Sequence, residues 1–333
     1  MKSNFYQLAV FPLMAAVFIS TACGKKSSDE ALPAAVEEVD IPETPAAAIQ
    51  SIVREVASGN GSVLWQAMPA SYQDDVNQVA QLAGEKIDSE IYDRVFSTVG
   101  RVSQVADKQK EFLFNAGLGT KPPEEQIAKL REAWPSIMEL FNSVTSSSIS
   151  STELLKNFDG KTFFDETVSP MLLNMDVLSK INPDPDQPPL SAFREAVVNY
   201  IEGTDTMAKL EMVMPNGDVQ VEDFIKVENS WVPKEMADEW VGKIAEMRSQ
   251  LENIDVAQIA QMKPQLMGVF TMIDGVLTQI DEAETQEQFD QALQGAMMPL
   301  MGLMMMGHGI GGGAPAIPAV PATPGGSTLP SAP

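Results

Sequence analysis

Apolar residues along this chain recur mostly at the three- and four-residue spacing of amphipathic helices. Thr44-Pro45 offers an N-cap with proline at the first helical position, Ile49, Ile52, Val53 and Val56 share one face, and Gly59 stops the run. Pro69 starts a helix carrying Tyr72, Val76, Val79 and Ala83. Asp88 caps another with Ile91, Val95, Val99, Val102 and Val105, reaching to Phe112 and Leu113. Pro122-Pro123 opens a helix with Ile127, Leu130, Trp134, Ile137 and Phe141 inward and a kink at Pro135. Beyond the serine-rich loop 146–151, Leu154, Leu155 and Phe158 mark a short helix and Asp159-Gly160 a turn. Phe164, Val168, Leu172 and Met175 mark another helix, irregular at Pro170. Leu190, Phe193, Val197, Tyr200 and Ile201 read as one more helical face.

The period then changes. Leu210, Met212 and Met214 alternate with Lys209, Glu211 and Val213, which is strand spacing. Pro215-Asn216-Gly217-Asp218 predicts a turn, since Asn-Gly accepts positive φ. Val219, Val221, Ile225 and Val227 form the return face with Asp223 as its odd member, and Asn229-Ser230 turns into Trp231-Val232. The expectation is a mainly α (α+β) fold: a multi-helix body with a two- to three-stranded antiparallel meander at about 208–232, packed on helices because so few strands need a second layer. Helical spacing resumes through Met236, Trp240, Ile244, Met247 and Leu251. The cleanest face follows, from Leu266 through Val269, Phe270, Ile273, Val276 and Leu277 to Ile280. Thr285 with Gln288 makes a capping box ahead of Phe289, Leu293, Met297, Leu300 and Met304.

Composition narrows the function classes. Of 333 residues 44% are hydrophobic, enough for a core. A formal charge of -24 opposes nucleic acid, whose phosphates would be repelled. One Cys and one His exclude a disulfide framework, a Cys-rich metal site and a His cluster.

The N-terminus reads as an address. Lys2 precedes an apolar run from Leu8 to Ile19, which ends at Ser20-Thr21-Ala22-Cys23. A charged start, a short apolar stretch and small residues before a cut make a secretory signal over 1–22, too short to span a bilayer comfortably. With the only Cys at the cut, residues 1–23 resemble a bacterial lipoprotein precursor. That resemblance implies that Cys23 becomes a lipidated first residue and anchors the chain to a membrane. Ser20 departs from the aliphatic residue usual there, and Ser20 with Ala22 also suits ordinary signal cleavage. Gly24 after the Cys implies the outer membrane, facing the periplasm. Residues 23–43 read as a tether, 44–306 as the helical body, and 307–333 as a disordered Gly/Pro-rich tail in which Pro315, Pro318, Pro321 and Pro324 recur every third residue. A second resemblance, to the nuclear transport factor two-like cone fold, rests on the opening helix ending at Gly59-Asn60 and the strand ending at Asn229-Ser230-Trp231-Val232. The helical middle departs from it.

Candidate chemistry concentrates at the C-terminal end. Met297, Met301, Met304 and His308 fall on one side of a helix. Thioethers are soft ligands that select Cu(I), and they are equally adaptable packing residues. Contact with a partner is the leading reading, and periplasmic copper or small-ligand binding the alternative. A Cu(I) competition titration on Met-to-Leu variants separates them. Asp184 and Glu195 have EF-hand spacing, but Pro188 and Pro189 occupy the middle of that loop, where glycine is needed. Asp165-Glu166, Asp281-Glu282 and Glu284 suit helix-dipole compensation. There is no nucleophile–histidine arrangement and no phosphate-binding glycine motif. The sequence therefore predicts no enzyme and no cofactor, but a lipid-anchored envelope protein that acts as a non-enzymatic structural or interaction module, with an envelope protein as candidate partner.

Overall fold

The structure is a computed structural model that describes residues 39–116, 123–183, 188–214 and 216–295. It is mainly helical with one antiparallel sheet. Helix α1 (Pro45–Ala57) begins after Thr44 and ends at Gly59, whose φ of +87° suits a residue without Cβ. Thr44 is extended as an N-cap should be, but its side chain makes no capping bond. The helices α2 (Ser62–Gln66), α3 (Ala70–Lys86), α4 (Ser89–Lys108) and α5 (Lys110–Asn115) follow. Asp88 caps α4 by accepting from Ile91 N. A break at Gln109 sets α5 apart from the run expected to continue through Leu113.

Helices α6 (Glu124–Thr145) and α7 (Thr152–Lys156) come next. Pro135 lies inside α6, where Ile127 and Trp134 are buried, but Phe141 on the expected inner face is exposed. Asp159-Gly160 is a helix start and not only a turn. Asp159 accepts from Thr162 N and caps α8 (Gly160–Phe163). Gly160 is required there, because a Cβ would stand 2.1 Å from the Trp65 ring. The irregularity expected near Pro170 is a π turn over Phe164–Val168, which runs into α9 (Ser169–Ile181). Of the expected α9 face, Leu172 is buried and Met175 is exposed.

The sheet is larger than expected. A 3-10 turn (Leu190–Glu195) leads into β1 (Val197–Gly203), so Val197, Tyr200 and Ile201 belong to a strand and not to a helix. Over so short a window helical spacing cannot be told from a strand. The β-branched and aromatic density of Val197, Val198, Tyr200 and Ile201 decides the outcome. Strands β2 (Met207–Val213), β3 (Val219–Val227) and β4 (Ser230–Pro233) complete the order β1-β2-β3-β4. This four-stranded meander beside a helical middle departs from the long curved sheet of the cone fold. The β2–β3 turn closes as read, with Gly217 at φ +86° and Met214 N donating to Asp218 O. At the β3–β4 turn Glu228 takes φ +55°, and its carboxylate accepts from Ala70 N and Ser71 N at the start of α3.

Helices α10 (Lys234–Glu252), α11 (Val256–Asp281) and α12 (286–295) close the described chain. The capping box forms in part: Gln288 N donates to Thr285 Oγ1, while the Gln288 side chain accepts from Glu284 N. Two large apolar clusters carry the fold. One joins α2, α3, α4, the π turn, α10 and α11 around Phe96, Val168, Trp240 and Phe270. There Tyr72 stacks on Trp240 with ring centroids 4.0 Å apart, and Trp240 Nε1 donates to Asp75. The other joins α1 to the sheet through Ile49, Val53, Leu210, Met212, Phe224 and Trp231.

Helices α4 and α11 run parallel, held by a line of ion pairs. Lys263 meets Asp88 and Glu90, Asp274 meets Arg94 and Arg101, and Asp281 meets Lys108. Among the described residues no helix is long and apolar enough to cross a membrane.

Candidate functional site

Cys23, Met297, Met301, Met304 and His308 all lie outside the described residues, as do the signal segment and the Gly/Pro-rich tail. Among the described residues no group of three or more His, Cys, Asp or Glu is placed to hold a metal ion. Asp165 and Asp281, members of the acid pairs singled out in the sequence, are ion-paired to Lys161 and Lys108.

The sheet carries the most distinctive surface. Its register follows from the tight β2–β3 turn, which pairs Val213 with Val219 and Met212 with Gln220. Leu210, Met212 and Phe224 therefore share the face that packs on α1. Val219, Val221, Asp223 and Ile225 share the other face with Val197, Met207, Lys209 and Val213. The expected return face is thus the outer one: Val219 is 54% exposed and Val221 52%. The buried residue of β3 is Phe224, a member of the opposite set.

On this outer face Val197, Val213 and Val219 form one cross-strand row, with Val221 beside it. A polar band follows. Lys209 lies 3.4 Å from Glu202 and 3.8 Å from Asp223, and Asn199 donates to Glu211. Beyond the band Met207 is exposed, Ile225 half-buried and Val232 buried. The open apolar area therefore sits toward the β2–β3 turn and the β1 edge. That edge is blunted twice. The Gln50 amide donates to Ala196 O and accepts from Val198 N, so a side chain occupies the place of a neighbouring strand. A bulge between Tyr200 and Glu202 then shifts the ladder. The edge is closed to pairing, while the face stays open.

On the inner face Glu222 pairs across from Leu210, near Glu235 at the start of α10. Burial pushes its carboxyl up to about 7, with the charges of Glu235 and Asp223 adding to the effect. The charge fields acting on it are those of carboxylates. Lys226, on the same face, lies over the Trp231 ring. Glu222 therefore has the titration range of a general acid, and the charges that help to set that range are carboxylates.

No family model matches this chain, and no curated protein or solved structure matches it either. The surface just described is therefore the ground for a functional reading.

Proposed function

We propose that this protein is a lipid-anchored component of a bacterial cell envelope, exported and attached through Cys23 to the outer membrane on its periplasmic side, and that it works as a non-enzymatic interaction module. The observation that carries the reading is the open apolar part of the outer sheet face, Val197, Val219 and Val221. Exposed apolar side chains grouped on one rigid face are the usual mark of a protein contact. The inner face of the same sheet is fixed to α1, so the outer side chains stand in one arrangement and a partner pays little to order them. The Met-rich segment 297–306 is the second contact element, since thioether side chains repack against varied surfaces. At full extension the residues between Cys23 and Val39 keep this face within about 55 Å of the lipid plus the width of the body, so the partner belongs to the same envelope.

The test is a crosslinked pull-down from gently solubilised envelopes, quantified by mass spectrometry. It compares the native chain with Val219→Lys plus Val221→Lys, and with a chain cut before Gly295. The expected result is a stoichiometric envelope protein that is lost from the lysine variant and reduced in the cut chain. No enriched protein in any arm overturns the reading. Attachment is tested separately by metabolic labelling with a fatty acid, which should mark the native chain and not Cys23→Ser.

A further inference from the structure

Register sets the open part of the outer sheet face in two adjacent rows. Val197, Val213 and Val219 stand abreast in the first, and Asn199, Glu211 and Val221 in the second. Glu211 is therefore on the middle of the three strands, beside Val221 and one row from the other valines. It is half-buried, and it accepts from the neutral side chain of Asn199 at 3.2 Å. The outer side of β1, β2 and β3 carries three acids, Glu202, Glu211 and Asp223, and one base, Lys209. That base lies between Glu202 and Asp223. Asp218 adds a further carboxylate in the exposed turn next to Val219.

On the reading of this face as a protein contact, we propose that it takes a cationic amphipathic helix, one that sets lysine or arginine among apolar side chains. A partner that covers the valines also covers Glu211. A carboxylate sealed under apolar side chains costs free energy unless a cation meets it. An ammonium or guanidinium among the partner's apolar residues meets it, whereas an anionic or wholly apolar surface leaves it unpaired. The form of the partner follows from the edge and from the size of the patch. Gln50 occupies the backbone groups at the start of β1, so side chains make the contact there and not an added strand. Three strands are about 10 Å across, the width of one helix. Helix α1 already covers the inner face of the same sheet in this way, through Ile49 and Val53. The formal charge of -24 draws a cationic segment in from a distance, and Glu211 decides where it settles.

Purified full-length chain is titrated with two labelled synthetic peptides, and binding is followed by fluorescence anisotropy. One peptide is an amphipathic helix of leucine, alanine and lysine. The other carries glutamate in place of every lysine. The expected result is saturable binding of the lysine peptide alone. Glu211→Gln should weaken it about tenfold, whereas Glu252→Gln, the same change of charge at the exposed end of α10, should leave it within about twofold. Val219→Thr plus Val221→Thr keeps the β-branched shape and should weaken it about fivefold. Circular dichroism and melting confirm the fold of each variant. Four outcomes overturn the proposal: no binding of the lysine peptide, equal binding of both peptides, equal losses at Glu211 and Glu252, which would mean attraction to net charge alone, or no loss in the valine variant. Self-association of the chain in sedimentation, lost in the valine variant, would give the face to a second copy and overturn it as well. The envelope-partner reading is judged separately by the pull-down. A captured protein that docks through an acidic or uncharged segment sustains the contact and refutes only the chemistry given to it here.

Discussion

Glu222 is a carboxylic acid whose surroundings oppose its charge. Its folded pKa is near 7 and its unfolded value near 4.5, so between those limits the folded state holds more protons than the unfolded one. Stability therefore falls as pH rises from about 4.5 to about 7, and stays lower above that. Glu222→Gln should flatten this slope and stabilise the protein at pH 8. Discounted for partial exposure, the gain is about 1–2 kcal/mol. Urea titrations of both proteins at pH 5 and pH 8 measure it, and an equal midpoint shift at both pH values would remove burial of the charge as the cause. Hydrophobic alternation could not show Glu222 facing inward, because Val219, Val221 and Ile225 make the more convincing buried set. The signal was present in the turn. Closing β2 on β3 at Met214–Asp218 forces Gln220 and Glu222 opposite Met212 and Leu210. Register, and not hydrophobicity alone, assigns the faces.

At the scale of elements the helices were legible where a cap and a sustained period agreed. Asp88 before α4, Pro69 before α3 and Thr285 before α12 each stand where the local chemistry places them. Strand β1 was not legible, because five apolar positions between Leu190 and Ile201 satisfy helical spacing by coincidence. The exposed side of α9 was hidden by its evenly apolar composition. The parallel packing of α4 and α11 could not be read from either helix alone, since it is specified by partners about 175 positions apart. Asp274 joins Arg94 and Arg101 across that seam, so Asp274→Ala leaves two guanidinium groups without their carboxylate. The expected cost is about 1–2 kcal/mol, measured as a lower denaturant midpoint. Trp240 fixes α10 to α3 through its stack on Tyr72 and its bond to Asp75. Trp240→Ala should cost about 3–5 kcal/mol. A loss below about 1 kcal/mol would show that α10 is held by other contacts.

For the whole molecule, charge outweighs any single pair. With 46 acids against 22 bases the chain carries a large excess of negative charge, and the folded state gathers it into a small volume. The melting temperature should therefore rise between about 10 mM and 300 mM sodium chloride, as the Debye length shortens below the spacing of surface charges. A fall over that range would mean that the ion pairs between α4 and α11 dominate. The sequence conveyed this balance fully, along with the mainly helical class. The Met-rich segment stood out by composition and lies outside the described residues. The open sheet face was not legible, because it exists only once four strands are in register.

The chain enters the body through a strap. Val39 N donates to Gln66 Oε1, Ile41 packs against the sheet cluster, and the Glu43 carbonyl accepts from Trp231 Nε1. Mechanical load applied at the N-terminal side of Val39 therefore meets two isolated hydrogen bonds and the Ile41 contact, taken one after the other, before it reaches α1 or any strand ladder. In single-molecule stretching from that end, the first event should be a low-force lengthening of about 20 Å, the span of six extended residues, with the folded body intact behind it. The strap gives way first and spares the sheet, as a fuse does in a circuit.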